Sequence, residues 1–445
     1  MTKTPNHGLS ALQCPMTLAD VDLFAPGAQE HWYEAYPILH REAPVLRIPG
    51  GGHKPGSDAF ILTKYDDIAM VVRDTVRFPS GLTLAIEQMA KSPLPPEQQP
   101  HTNAMMVSMF TLRPTDEIYR AHRQELTDPW VGPGASRHNA MIERHANDLI
   151  DRWIDRGNVE FISEFARPLP QRVMASVLGL PQEDIPQLAR WGNAQVYAFV
   201  HGRGHRNELT REELDAQFKE LDGFKEYVSE MVLRKRANPA DDMISWLCDV
   251  KYAALDRKLT DMEINGIVYA MLIGGLETTQ YALEEQAQML CEHPHLLAEL
   301  KHDRERIRGF CEESMRLRSP TQGLSSRTTT RDEVFHSMHV PAGSLLHMRW
   351  AAGNVDPDEW ECPYELNIDR KAVTRHVAFS QGPRVCPGAG ISRLEQQIAW
   401  NCLLDRLTSL EYVSGNTFEH QPGIMLGTLQ LNLKLAAERP SQHTN

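Results

Sequence analysis

Phe379-Ser380-Gln381-Gly382-Pro383-Arg384-Val385-Cys386-Pro387-Gly388-Ala389-Gly390 is the stretch on which the reading of this chain turns. Two glycines, Gly382 and Gly388, bracket a cysteine that stands just before an apolar-periodic run from Ile391 to Leu407. Pro387 suits the first helical position, so the spacing predicts Cys386 at or beside a helix N-cap. A sulfur there meets unpaired backbone N–H groups and the positive end of the helix dipole, with the Arg384 cation two residues away. All three favour thiolate over thiol. Such a sulfur is a strong anionic metal ligand whose basicity N–H hydrogen bonds tune. An isolated cysteine at a helix start is nevertheless most often structural, so the rest of the chain decides.

The chain has 445 residues, with 46 Lys and Arg against 59 Asp and Glu, a formal charge of −13. Hydrophobic residues make up 41% and charged residues 24%, which is the balance of an ordinary globular protein and excludes disorder by composition. The acidic excess argues against nucleic-acid binding by bulk charge. Met1 to Pro15 has no apolar core, so neither a signal peptide nor an anchor is expected. The most apolar run, Gly266 to Leu276, covers about half of the roughly 20 residues a membrane span needs. Seven cysteines without a CxxC pair make no disulfide framework or zinc site and suit a reducing cytoplasm.

Length alone suggests two or three domains, but no Gly/Ser-rich linker or internal repeat divides the chain. Helical periodicity dominates. It covers Gln29–Arg41, Asp66–Arg73, Asp116–Leu126, Arg137–Arg156, Val159–Leu180, Gln182–Val200, Arg211–Arg236, Thr260–Cys291 and Asp303–Arg318. Short strands are expected at Val45–Ile48, Ala59–Lys64 and between Arg327 and Met348, with a terminal hairpin from Phe418 to Ala436. Pro79 to Pro114 is irregular and rich in methionine (Met89, Met105, Met106, Met109), a composition suited to an adaptable apolar wall. The reading is a mainly α protein with minor β.

The cysteine stretch resembles the haem-binding loop of the cytochrome P-450 superfamily, F-x-x-G-x-[HR]-x-C-x-G. Phe379, Gly382, Arg384, Cys386 and Gly388 fill every position; Ser380 stands where a second glycine is usual. The resemblance runs from about Leu23 to Leu435. It implies one triangular haem domain over 23–445, behind an N-terminal extension, 1–22. It makes Cys386 the axial ligand of haem b iron, Arg384 a propionate partner and Phe379 a shield on the sulfur. Glu313 and Arg316, with Arg370, correspond to the family's buried carboxylate–diarginine lock, and Asn354-Val355-Asp356-Pro357 to its N-x-D-P turn. Arg327 and Arg123 are further propionate partners by the same resemblance, with Tyr119 replacing the usual histidine four residues before Arg123.

Gly274-Gly275-Leu276-Glu277-Thr278-Thr279 matches the family's oxygen-binding groove. Two glycines within a helix each cost about 1 kcal/mol against alanine, and a flat cofactor against the backbone explains Gly275. Thr278 then hydrogen-bonds dioxygen and Glu277 relays protons. The implied activity is monooxygenation of a hydrophobic small molecule, by hydroxylation or O- or N-dealkylation. Electrons come from NAD(P)H through a separate ferredoxin and ferredoxin reductase, in the cytoplasm, with no nucleic acid or membrane involved. Arg120, His122, Lys371, Arg375 and Arg393 are expected on the cysteine side, facing an acidic ferredoxin. By family analogy the substrate is walled by 79–114, Trp191–His201 with Tyr197 and Phe199, Ile267–Glu277, Pro320–Ser326 and Ile424–Gly427. A hydrogen-peroxide-using haem-thiolate peroxygenase and a non-enzymatic haem sensor are the rival readings; retention of Glu277 and Thr278 speaks against both.

Overall fold

In the computed structural model, the described residues are 14–52, 56–80, 112, 115–200, 202–203, 206–207, 209–323, 326–421 and 423–437. Most of the methionine-rich 79–114 stretch lies outside them, as do residues 324–325 and the side chain of Phe199.

Helices begin where the sequence supplies caps. Thr210 and Glu213 form a reciprocal capping box at the start of Arg211–Ala237, and Thr260 and Glu263 do the same for Asp261–Gly275. Thr115 caps Asp116–His122, and Asp242 caps Met243–Asp249. Gly179, at φ 75°, terminates Pro168–Leu178 in the left-handed conformation.

The largest apolar cluster joins Asn139–Ile150, Pro168–Leu178, Asp261–Gly275 and Ala389–Arg406, with Trp153, Phe161, Phe165 and Trp400 among its fully buried side chains. A four-stranded sheet lies to one side, in the order Val45–Ile48, Ala59–Leu62, Leu345–Met348, Ser326–Thr328. Its inner pair is parallel and its outer pairs antiparallel. Ala59–Leu62 is buried at all four positions, because helix Tyr65–Arg73 covers one face and Trp32, Tyr36 and Leu39 of helix Trp32–Glu42 pack on the other side. Packing on this second cluster begins at Leu18 and Val21. The result is a single domain, mainly helical, with small sheets. Among the described residues no helix is long and apolar enough to cross a membrane.

Three expectations change. The helix expected from Thr260 to Cys291 is two helices, Asp261–Gly275 and Thr278–Glu292, separated at Leu276–Glu277. Thr278 Oγ1 donates to the Gly274 carbonyl at 2.8 Å, and such back-bonding bends a helix already weakened by two glycines. Val159–Leu180 is also not one helix: Asn158–Glu160 is a strand, followed by a π turn at Ile162–Ala166 and then Pro168–Leu178. Finally, the hairpin expected from Phe418 to Ala436 is confined to a short antiparallel turn in which His420 bridges to Thr428, while Asn432–Ala437 pairs with Leu407–Tyr412 and Asn158–Glu160 in a three-stranded sheet.

Candidate active site

The helix after the cysteine starts at Ala389, with Gly388 as its N-cap, two residues later than Pro387 had suggested. Cys386 therefore precedes the helix in a closed loop. Its N–H donates to the Phe379 carbonyl at 2.9 Å, and a 3₁₀ turn, Gly382–Arg384, forms the tip. Ser380 sits at φ 60° and Gly382 at φ 71°. The first value explains why glycine is usual at 380: a Cβ in the left-handed region costs about 1–2 kcal/mol. The Ser380 hydroxyl is buried without a partner among the described residues.

Burial pushes the Cys386 thiol up, against the opposing pull of the Gly388 and Ala389 amides and the Arg123 and Arg393 guanidiniums. The helix start thus opposes the effect of burial without outweighing it. A cation bound to the sulfur would reverse the balance, since a coordinating thiol is deprotonated outright. The loop is buried among helices, yet from Ala378 to Gly390 its residues stay partly accessible, Gly382 fully so. Pro387 lines a cavity there with Tyr119, Arg123, Ala270 and Met271.

Gly274 borders open space, and a Cβ on it meets nothing within 4 Å. Gly275 does not fit its expected role beside a cofactor. A Cβ on Gly275 would come within 2.5 Å of Met174 Cγ, so its missing side chain serves close helix packing.

The arginines divide into two kinds. Arg327 is 4% exposed, and among the described residues its Nε has no partner while Nη1 reaches only the Ser326 carbonyl, at 3.0 Å. Burial and the nearby Arg384 charge lower its pKa to about 10. A buried guanidinium without a carboxylate is costly, and a haem propionate is the anion that such a site fits. Arg384 Nε pairs with Asp116 Oδ1 at 3.0 Å, and its guanidinium lies 4.2 Å from the Tyr119 ring centroid. Tyr119 in turn stacks on His122.

Arg123 is spent elsewhere. Nε pairs with Asp128 at 3.0 Å and Nη1 donates to the Val385 carbonyl at 2.7 Å, so it clamps the cysteine loop. It does so from a π turn, Arg123–Thr127, where helical expectation had placed regular helix. Arg327→Met is expected to leave the haem-free chain as stable or more so, while haem release accelerates about tenfold to a hundredfold, the loss of a charged hydrogen bond. Transfer of haem to apomyoglobin measures the rate.

Behind the loop, Glu313 is fully buried between Arg316, through two 2.8 Å hydrogen bonds, and Arg370, at 3.0 Å. Arg316 also donates to the Asn354 and Pro363 carbonyls, and Arg370 to those of Glu361, Cys362 and Glu365. Asn354 Oδ1 accepts from Val377 N at 2.7 Å, and Asp356 takes the Lys64 ammonium and the Tyr65 amide. The segments before the cysteine loop are therefore tied to helix Arg306–Leu317 and to the sheet.

A second buried cluster escaped sequence reading. Glu312 receives His376 Nε2 at 3.1 Å and both Nε and Nη2 of Arg393, whose guanidinium lies 4.4 Å from the Phe379 ring centroid. Despite burial, these partners hold the Glu312 carboxyl at about 2. A signal existed: neighbouring glutamates on a helix point about 100° apart, so burying both needs two separate sets of cations. Arg393 is consequently committed to Glu312, and His122 is 4% exposed. Neither belongs to an exposed basic face, contrary to expectation. Arg120, Lys371 and Arg375 are exposed, the last paired with Glu359.

Glu277 occupies the N-cap position of the second half of the broken helix without a side-chain capping bond; it and Thr278 are half-buried. Burial raises the Glu277 carboxyl pKa, while the Tyr281 hydroxyl and Arg167 oppose the shift. Because Thr278 Oγ1 gives its proton to Gly274 O, its oxygen remains able to accept a further hydrogen bond.

A helical domain whose cysteine loop, through Pro387, shares a slot with helix Asp261–Gly275, and which buries Arg327 with its Nε unpartnered among the described residues, has the features of a haem-thiolate protein. Comparison makes this specific. The cytochrome P450 family model matches residues 207–435, and the chain belongs to that family. It is 26% identical to the polyketide biosynthesis cytochrome P450 PksS of Bacillus subtilis, over 87% of this chain and 92% of that one. It is 28% identical to cytochrome P450 107B1 of Saccharopolyspora erythraea, over 89% and 92%. The steroid C26-monooxygenase of Mycolicibacterium smegmatis is 30% identical, over 63% and 69%. Among solved structures, substrate-free CYP109E1 from Bacillus megaterium superposes with a TM-score of 0.76 at 25% identity, covering 91% of this chain and 99% of that one. The protein is an oxygen-incorporating haem oxidoreductase.

Proposed function

We propose that this chain inserts one oxygen atom from O2 into a hydrophobic small molecule, working in the cytoplasm. Cys386 would hold the haem iron through its sulfur, and electrons come from NAD(P)H through a separate ferredoxin and reductase. The observation that carries the reading is the acid–alcohol pair Glu277–Thr278 at the break of the helix that lines the slot, beside the open side of Gly274. Bound haem iron supplies the redox chemistry that activates dioxygen. The chain's own residues do the rest. Arg327 and Arg384 hold the propionates, Arg123 holds the carbonyl before the cysteine, and Thr278 accepts a hydrogen bond in the slot.

Burial raises the Glu277 carboxyl above the ordinary carboxylate range, the direction that suits a general acid passing a proton toward the slot. The described slot lining, Ile267, Ala270 and Met271 among it, is apolar and supports a hydrophobic substrate, in keeping with the steroid and polyketide pathways named for two relatives. Arg73, Arg120, Lys371 and Arg375 are exposed, and Arg73 and the Arg375 backbone bond Gln381 of the cysteine loop, which supports docking of an acidic ferredoxin there. The test is a screen of terpenoids, steroids, fatty acids and aromatics for the low-to-high-spin Soret shift, followed by turnover of the compounds that give it. Product is expected with a ferredoxin–reductase pair and NADPH. Product with hydrogen peroxide alone would overturn the ferredoxin-dependent reading in favour of a peroxygenase. No product under either condition would favour a sensor.

A further inference from the structure

Glu277 is held by a device that neither the acid–alcohol pair nor the cysteine loop accounts for. We propose that Tyr281 is a positioning residue for Glu277, engaging carboxyl oxygen Oε2 so that Oε1 is the oxygen presented to the slot. This rests on the reading of Glu277 as the proton-delivering acid.

Tyr281 is 4% exposed, and its hydroxyl lies 3.1 Å from Glu277 Oε2, one helical turn away on the same face. Gln421 Nε2 meets the same hydroxyl at 2.6 Å. An amide NH2 only donates, so the phenol oxygen accepts from Gln421, and its own hydrogen is left for the carboxylate. The chain of donors therefore runs in one direction, from half-exposed Gln421 through Tyr281 to Glu277. Glu277 Oε1 has no protein partner among the described residues.

The place of the ring is built in. A Cβ on Gly427 would lie 2.5 Å from Tyr281 Cε1, so a side chain there would displace the ring. Gly427 O accepts from Gln421 N at 2.9 Å, and His420 bridges to Thr428. The turn that seats the ring thus also holds the amide that orients its hydroxyl. The other charged groups are Arg167, whose charge acts on Glu277, and Glu284, whose charge acts on Tyr281. Glu284 is itself engaged by Gln280 and by the Thr428 amide. Arg167 is near enough to Gln280 to hydrogen-bond it, at 3.4 Å. Among the described residues only Tyr281 reaches the Glu277 carboxyl with a hydrogen bond.

The test is infrared titration of the full-length, haem-loaded protein, with the Glu277 carboxyl band identified by its loss in Glu277→Gln. Tyr281→Phe keeps the ring on Gly427 and removes only the hydroxyl. Losing a donor to the charged form is expected to raise the Glu277 midpoint by about one pKa unit and to move its C=O band to higher frequency. Gln421→Leu, which weakens the phenol as a donor without touching Glu277, shifts both in the same direction by less. A midpoint and band unchanged in Tyr281→Phe would overturn the inference, since ring packing alone predicts that result.

The underlying reading is tested separately. With the compound giving the largest spin shift, Glu277→Gln should raise the hydrogen peroxide released per NADPH consumed. An unchanged ratio would overturn the role of Glu277, while the infrared comparison still decides whether Tyr281 holds its carboxyl.

Discussion

Cys386→Ser is expected to abolish the strongly red-shifted Soret band of the ferrous carbon monoxide complex and to lower haem content in the purified protein severely. The sulfur is the one ligand the loop offers. Its surroundings do not favour an anion unaided, because burial raises the thiol and the Gly388 and Ala389 amides recover only part of that cost. An iron cation tips the balance for sulfur, whose thiol ionises in the ordinary range of about 8.5. An alcohol ionises far less readily, so serine in the same place stays neutral and binds iron weakly. The loop itself should persist in the variant, since its closing bond, Cys386 N to Phe379 O, is backbone, as are the 3₁₀ turn at Gly382–Arg384 and the Gly388 cap. Circular dichroism should therefore report a folded chain in which the thiolate signature is absent. A red-shifted band of undiminished intensity would rule out Cys386 as the ligand.

The cysteine loop was legible because its signals are local. Glycines, a proline and a following apolar period are read within a dozen residues, and only the helix start was misplaced, by two. Capping boxes at Thr210 and Thr260 were equally visible in principle, each being four residues long. The break at Leu276–Glu277 was harder, since apolar periodicity continues through it. What interrupts the helix is a single hydroxyl, Thr278 Oγ1 on Gly274 O, which hydropathy does not register. Strand Asn158–Glu160 was hidden for a different reason. It is three residues long and is defined by partners nearly three hundred residues away in sequence.

The site divides along the same line. Residue identities at Arg327, Arg384 and Arg123 could be read, but their partners could not, and partners decide the role. Arg123 turns out to be committed to Asp128 and the Val385 carbonyl, whereas Arg327 keeps an unpaired Nε. Gly275 shows the limit most plainly. One missing side chain suits either a flat cofactor or a neighbouring helix, and only the position of Met174 separates the two. Tyr281 and Gln421 carry no motif at all, being 140 residues apart and joined only by the turn around Gly427.

Glu313→Gln should be the most damaging substitution outside the ligand itself. Arg316 and Glu313 have 0% side-chain exposure and Arg370 has 9%, so neutralising the carboxylate strands two guanidiniums out of water. Breaking a buried pair by removing one partner costs about 3–5 kcal/mol, because the surviving charge is left uncompensated. Here two charges survive, although the carbonyls of Asn354, Pro363, Glu361 and Cys362 still accept from them. Those carbonyls make the lock matter for haem. Through them Arg316 and Arg370 hold 354–365, and Asn354 holds Val377, two residues before Phe379. The loss should therefore show both as a lower urea midpoint and as faster haem release from protein that remains folded. An exposed pair gives the reference. Arg211 and Asp215 are 86% and 54% exposed, and Arg211→Ala is expected to cost no more than about 0.5 kcal/mol. If Glu313→Gln cost no more than Arg211→Ala, the buried cluster would not be ionised, and the rigid frame attributed to it would need another source. Arg370→Lys refines the test. It keeps the charge on Glu313 but loses the planar fork that reaches three carbonyls, so it should fall between the two.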